Sequence, residues 1–285
     1  MKLGIGLPNH VAEVKGPAIA HWARRAEERG FESVTTIDRL IYPSLDSIIS
    51  LAVAAGATAN LALITNVLLA PLYPPVLLAK QLATLAEASG DRLVLGVAVG
   101  GREDDYAAAG VDFGARGELL DAATPVWRRV WAGESVDGEV SLCPSPVTIP
   151  VLFGGKSKAT LRRATTLGDG WAAGAVRDYA TQSSFAEEIR SGWQKAGRVG
   201  RPTIQASLNF AVGDDAVVAE GRRNLGRYYG FTPEYCALSV ADMVATRDDA
   251  RDAVRHYRDL GFDRLLFHPA VATPDQVDRL ADAVL

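Results

Sequence analysis

One unit recurs along the chain and constrains the fold more than any overall property: an alanine-rich helical stretch, a glycine stop, then a short β-type run. Ala18, Trp22 and Ala26 repeat at helical spacing, with Ile19 and Ala23 beside them. Gly30 closes that stretch, and Glu32–Ile37 reads as a strand. Near the C-terminus Ala250, Ala253, Val254, Tyr257 and Leu260 form another apolar stripe, stopped by Gly261 before Arg264–Phe267. Gly90 before Leu93–Val99 and Gly168 before Trp171–Ala175 repeat the punctuation, as expected where a helix C-terminus needs a left-handed residue. Thr246 and Thr273 read as N-caps, and Thr273-Pro274-Asp275-Gln276 fits a capping box.

The strand-like runs are Leu3–Leu7, Ser33–Ile37, Ala62–Leu68, Leu93–Val99, Val151–Gly154, Trp171–Ala175, Ile204–Val212 and Arg264–Phe267. Strands alternating with helices imply a parallel sheet with right-handed crossovers. Eight such units close a barrel. The expected fold is therefore a single α/β domain over residues 1–285, a (β/α)8 TIM barrel, with a doubly wound open sheet as its rival. Two excursions interrupt the rhythm: Glu134–Pro150 after strand four, and a helical Asp214–Val244 after strand seven.

Composition narrows the partners. With 30 basic and 34 acidic residues the net charge is −4, and no Lys/Arg run stands out, so nucleic acid is not expected. The apolar Leu61–Leu72 stretch is too short to span a bilayer and leads to Pro74 and Pro75, so no membrane is expected. Cys143 and Cys236 show neither metal-ligand spacing nor a disulfide framework, and the start of the chain lacks the features of a signal peptide; both point to a reducing cytoplasm.

Barrel chemistry sits at the C-terminal ends of the strands. That rule selects Pro8-Asn9-His10, Asp38-Arg39, Asn66-Val67, Gly100-Gly101-Arg102-Glu103, Gly154-Gly155-Lys156-Ser157, Ala173-Gly174 and His268. Gly154 and Gly155 remove side-chain bulk where a helix begins near Ser157, a place suited to phosphate, with Lys156 as a point charge. A tight turn with an N-cap serine explains the same residues. It is not a nucleotide P-loop, since Pro150 stands where that pattern needs glycine. Gly100 and Gly101 would let a flat ring or phosphate approach the backbone, whereas Arg102 and Glu103 also suit a surface ion pair. His10 and His268 suit proton transfer near neutral pH; with Asp38 they also suggest a metal, but no spacing supports one. His21 and His256, and the scattered tryptophans Trp22, Trp127, Trp131, Trp171 and Trp193, read as packing or surface residues.

Taken in order, these stations resemble the luciferase-like monooxygenase superfamily. The resemblance runs through Gly4-Ile5-Gly6-Leu7-Pro8, the Ala23–Val34 joint, Gly90–Gly100, Arg102–Tyr106, Pro150–Gly155 and Leu167–Trp171. It implies a barrel holding FMN or the deazaflavin coenzyme F420 at its mouth, acting on a small organic substrate, and a homodimer. The cofactor phosphate would be held by Gly154, Gly155, Lys156 and Ser157, with Gly174 nearby. A non-proline cis peptide or bulge backing the ring would fall at Asn66-Val67, and Gly100, Gly101 and Glu103 would lie near the ring or its side chain. The Gly100–Tyr106 block resembles the deazaflavin branch, so F420-dependent hydride transfer to or from the substrate is expected, with FMN-dependent monooxygenation or a non-catalytic flavin-binding barrel as alternatives. Many relatives carry Asp-His after strand two where this chain has Asp38-Arg39. An arginine stays protonated and cannot act as acid or base, though it can stabilise an anion. Proton chemistry would then fall to His10 or His268.

Overall fold

The computed structural model describes residues 1–135, 140–143 and 145–285. Eight parallel strands close into a barrel in sequence order: β1 (Lys2–Gly6), β2 (Ser33–Thr36), β3 (Ala62–Leu68), β4 (Leu93–Val97), β5 (Val151–Gly154), β6 (Gly170–Ala172), β7 (Thr203–Phe210) and β8 (Arg264–Pro269). Closure comes from β1 pairing with both β2 and β8, so no sheet edge is left open. The open-sheet rival is excluded. The helices are α1 (Pro17–Glu28), α2 (Ser47–Ala57), α3 (Pro75–Ser89), α4 (Glu103–Ala109), α5 (Arg116–Trp131), α6 (Lys158–Thr166), α7 (Tyr179–Lys195), α8 (Asp215–Tyr229), α9 (Pro233–Ala241), α10 (Arg247–Asp259) and α11 (Asp275–Val284).

The expected strands all form, but their edges shift by one to three residues. The segments expected to continue as Ala98-Val99 and Ala173–Ala175 leave the sheet and become mouth loops. In the core, Leu3, Ile5, Leu63, Leu95, Val151, Phe153, Leu208 and Phe267 from the strands meet Trp22, Leu51, Leu82, Trp127 and Ile189 from the surrounding helices. Fully burying a side chain of this size contributes roughly 1.5–3 kcal/mol, so the seam between barrel and helices dominates stability. No helix among the described residues is long and apolar enough to cross a bilayer.

Three local expectations were tested by geometry. Gly30, Gly90 and Gly261 do have positive φ (86°, 66° and 71°) at helix ends. Gly168 does not: its need is steric, because a Cβ there would sit 2.6 Å from the Phe153 ring. Thr246 caps α10 by accepting from the Asp249 N–H at 3.1 Å, whereas Thr273 makes no side-chain cap for α11, offering only its backbone carbonyl to Gln276. Pro274 occupies the cap position instead.

Both excursions are present. Between β4 and β5 lie α4, α5 and a bridge pairing Ser135 with Ser141; part of Glu134–Pro150, residues 136–139 and 144, lies outside the described residues. Between β7 and β8, α8 and α9 precede the expected α10. Asp214 caps α8 through two backbone amides, and Val244 returns to bridge Phe210. That return folds α8 and α9 back over the barrel mouth.

Candidate functional site at the barrel mouth

A cavity of about 670 Å³ opens at the C-terminal ends of the strands, within the range of small-molecule and cofactor sites. Asp38, Arg39, Asn66, Val67, Gly100, Gly101, Gly154, Gly155, Lys156, Gly174 and His268 all line it. Eleven residues chosen from six separate loops and strand ends thus converge on one space.

The wall after β5 and β6 is mostly backbone. Gly155 has φ 105° and turns the chain from β5 towards α6; its carbonyl accepts from the Trp171 indole N–H at 2.7 Å. A Cβ at Gly155 would be strained and 3.0 Å from the Thr160 hydroxyl. Lys156 precedes the N-terminus of α6, and Arg177, Asp178 and Thr181 bring the start of α7 to the same wall. The first amides of a helix lack intrahelical partners and carry the positive end of its dipole, so the α6 start and Lys156 favour an anion here, whereas the Asp178 carboxylate caps the α7 start by accepting from the Thr181 N–H at 3.2 Å.

The opposite wall is built from side chains. Arg39 donates to the Tyr228 carbonyl at 2.6 Å, and its guanidinium lies 4.3 Å from the centre of the Tyr42 ring and 5.1 Å from that of Tyr228. Phe231 sits between two arginines, 5.7 Å from Arg39 and 4.5 Å from Arg102. The Nε of Arg39 is buried and makes no hydrogen bond among the described residues. Arg102 pairs with Asp104 and, at 3.3 Å, with the fully buried Asp105, rather than with Glu103. Asp105 also accepts from the Ile41 N–H at 2.7 Å, which ties the β4 loop to the β2 loop. Burial, and secondarily the nearby Asp46 and Asp105, push the Asp38 carboxyl up to about 6, against the Leu69 and Arg39 amides that favour its charged form.

The floor lies between β3 and β8. The Asn66-Val67 peptide is cis, at the position the resemblance implied, where the β3–β4 register shifts between Thr65 and Leu68. Asn66 Nδ2 lies 3.0 Å from His268 Nε2. Burial, then the neighbouring His10, holds the His268 pKa well below the ordinary histidine range, so the ring is neutral at physiological pH.

Three sequence candidates are placed elsewhere. His10 lies in a single helical turn, Pro8–His10, beneath the floor and away from the cavity, its ring 6.0 Å from His268 and 5.7 Å from Tyr228. Burial lowers its pKa to about 4, outweighing the nearby Pro269 and Leu7 carbonyls. Glu103 opens α4 facing solvent. Ser157 is exposed and caps α6, accepting from the Thr160 N–H at 3.1 Å, the turn role left open above. Conversely, sequence reasoning treated Trp171 as packing, yet it lines the cavity and holds the Gly155 carbonyl. Phe231 and Asp105 were missed; neither carries a local signal, because their roles come from contacts with remote loops. Among the described residues, no group of three or more His, Cys, Asp or Glu side chains is arranged to hold a metal ion.

A closed eight-stranded parallel barrel with its cavity at the C-terminal ends of the strands defines a (β/α)8 barrel whose candidate site lies at the mouth. The chain belongs to the luciferase-like monooxygenase family, a family of oxidoreductases, whose profile matches residues 1–281. It is 31% identical over 231 residues to the F420-dependent hydroxymycolic acid dehydrogenase of Mycobacterium tuberculosis, covering 70% of this chain and 60% of that protein. An uncharacterised protein of the same organism is 31% identical over 180 residues, covering 52% of this chain. The matches span only 60 to 62% of the length of these curated relatives. Among solved structures, an F420-dependent secondary alcohol dehydrogenase in complex with an F420-acetone adduct superposes with TM-score 0.81 at 17% identity, over 99% of this chain and 98% of that one. The monooxygenase RslO1 from Streptomyces bottropensis gives TM-score 0.78 at 21% identity, with the same coverage. At these identities the structures support the fold.

Proposed function

We propose that this chain is a deazaflavin-dependent oxidoreductase that moves hydride between coenzyme F420 and a small organic substrate. The observation that carries this reading is the meeting, in one cavity of about 670 Å³, of a phosphate-suited wall at Gly154, Gly155 and Lys156 with a neutral His268 floor and the unpaired Nε of Arg39. The residues fit a phosphorylated tricyclic ring. The chain reverses direction at Gly155 where a side chain would be strained, and Val67, Leu69, Trp171 and Ala173 provide apolar faces.

The chemistry that a bound deazaflavin supplies is two-electron hydride transfer with little reactivity towards oxygen. The protein's own residues do the rest. Gly155, Lys156 and the start of α6 bind the phosphate. Asn66 and Val67 position the ring where the resemblance implies. Arg39, held against Tyr42 and Tyr228, offers a fixed positive charge to an anionic ring or oxyanion. His268 keeps a neutral imidazole at the floor. Tyr228, Tyr229, Phe231 and Tyr235 roof the cavity and exclude water.

The preference for F420 over FMN rests on the Gly100–Tyr106 block and on the named activity of the mycobacterial relative. Titrating purified protein separately with reduced F420 and reduced FMN, followed by fluorescence and absorbance, tests it. The expected result is saturable binding of the deazaflavin without oxygen consumption. Binding of FMN alone, with oxygen uptake, would replace the reading by a monooxygenase; binding of neither would end both.

A further inference from the structure

A directional chain of hydrogen bonds crosses the barrel interior from its N-terminal end to the cavity floor. Arg264, at the start of β8, donates from Nη1 to Gln205 Oε1 at 3.1 Å. Gln205 Nε2 donates to Asn66 Oδ1 at 2.9 Å, and Asn66 Nδ2 reaches His268 Nε2 at 3.0 Å. Gln205 is fully buried, His268 is 1% exposed and Asn66 8%, so water does not compete for these links.

The chemistry of the first member fixes the rest. A guanidinium has five donors and no acceptor. Gln205 must therefore turn its oxygen to Arg264, which leaves its NH2 for Asn66. Asn66 must accept with its oxygen, which leaves its own NH2 for the histidine. His268 Nε2 can then only accept. Reversing any one amide would set two oxygens or two NH2 groups against each other, and an unmet buried polar group costs about 1–3 kcal/mol.

We infer that Arg264 and Gln205 are positioning residues that act through Asn66 to hold His268 as the Nδ1-protonated tautomer. Its lone pair at Nε2 is occupied, so in the resting site His268 is not free to act as a base at Nε2, and the Nδ1 proton is buried without a hydrogen-bond partner among the described residues. Neither Arg264 nor Gln205 lines the cavity. This inference rests on the placement of His268 in the site proposed above, but its test needs no cofactor.

The experiment is long-range 1H–15N correlation NMR on the cofactor-free protein, labelled with 15N-histidine and held at neutral pH. The signals of His268 are assigned by their loss in His268→Gln. The wild type is expected to show a proton on Nδ1 and a bare Nε2. Gln205→Glu preserves size and the contact with Arg264 but can only accept, since the guanidinium keeps the carboxylate charged. Asn66 must then present its NH2 to that carboxylate and its oxygen to His268, and the ring proton is expected to move to Nε2. Arg264→Gln removes the directional bias, and a mixture of tautomers is expected; this variant decides the matter if Gln205→Glu fails to fold. A wild-type His268 protonated on Nε2, or variants whose His268 signals match the wild type, would overturn the inference. A protein that binds neither flavin but shows the tautomer shift would instead remove only the proposed function.

Discussion

The two walls of the cavity are built on different principles. The β5–β6 wall is short in sequence, from Gly154 to Gly174, and works through backbone: one left-handed glycine, the start of α6 and one lysine. The facing wall draws on Arg39, Arg102, Tyr228 and Phe231, which come from three distant loops and touch through side chains. A backbone wall needs few residue identities, so it can grip an invariant group such as a phosphate. A side-chain wall can be rebuilt by single substitutions, which suits the part of a site that sets reactivity and substrate choice. Losses of binding should therefore map to the first wall and losses of turnover to the second.

The largest expected effect belongs to the second wall. Arg39→Gln keeps a hydrogen-bond donor but removes the charge, and steady-state kinetics should show kcat lower by roughly a hundredfold, with cofactor affinity changed only a few-fold. Equal losses in binding and turnover would erase the distinction between the walls. Next, Gly155→Val places a branched side chain at φ 105°, against Thr160. Strain of order 1–3 kcal/mol should weaken cofactor binding by ten- to a hundredfold in fluorescence titration, with kcat at saturation nearly unchanged.

A smaller effect tests the electrostatics behind Arg39. The Asp38 carboxyl is raised from its usual 3.8 to about 6 by burial first, then by Asp46 and Asp105. The folded protein thus holds this proton more tightly than the unfolded chain. The stability Asp38 contributes is fully present below about pH 4 and is lost as pH rises through about 6. Urea unfolding should show Asp38→Asn gaining on the wild type across that window by the order of 1–2 kcal/mol, after allowance for partial exposure. The histidines, whose lowered values act in the opposite sense, are common to both proteins and cancel. A difference that is flat with pH would show that Asp38 is ionised throughout. The smallest change is expected for Phe231→Ala, which removes the ring between Arg39 and Arg102. The loss of two partly exposed cation–π contacts is about 1 kcal/mol, a drop in Tm of about 2 °C by calorimetry. A change in substrate preference larger than this stability loss would sharpen the division of labour.

The legibility of the site follows the same divide. The glycine-lysine turn at residues 154–156, the capping role of Ser157 and the positions of Asn66 and His268 could be found because each is announced by residues adjacent in sequence. Glu103 was misplaced because Arg102 turned to Asp104 and to the buried Asp105, a choice made by the β2 loop that supplies the Ile41 N–H. His10 was misplaced because a helical turn at Pro8–His10 tucks its ring under the floor. Trp171 looked like core until the barrel brought its indole to the Gly155 carbonyl.

By itself the sequence determined the eight-fold alternation, the punctuation by Gly30, Gly90 and Gly261, and thus the closed barrel, because helix periodicity, strand propensity and left-handed glycines act over a few residues. Only the tertiary structure decided which strand-end side chains share a cavity, that Arg39 is flanked by Tyr42, Tyr228 and Phe231, and that Arg264 reaches His268 through Gln205 and Asn66. The physical reason is range: backbone preferences are set by near neighbours in the chain, whereas desolvation, ion pairing and hydrogen-bond direction depend on groups that closure of the barrel brings within a few ångströms.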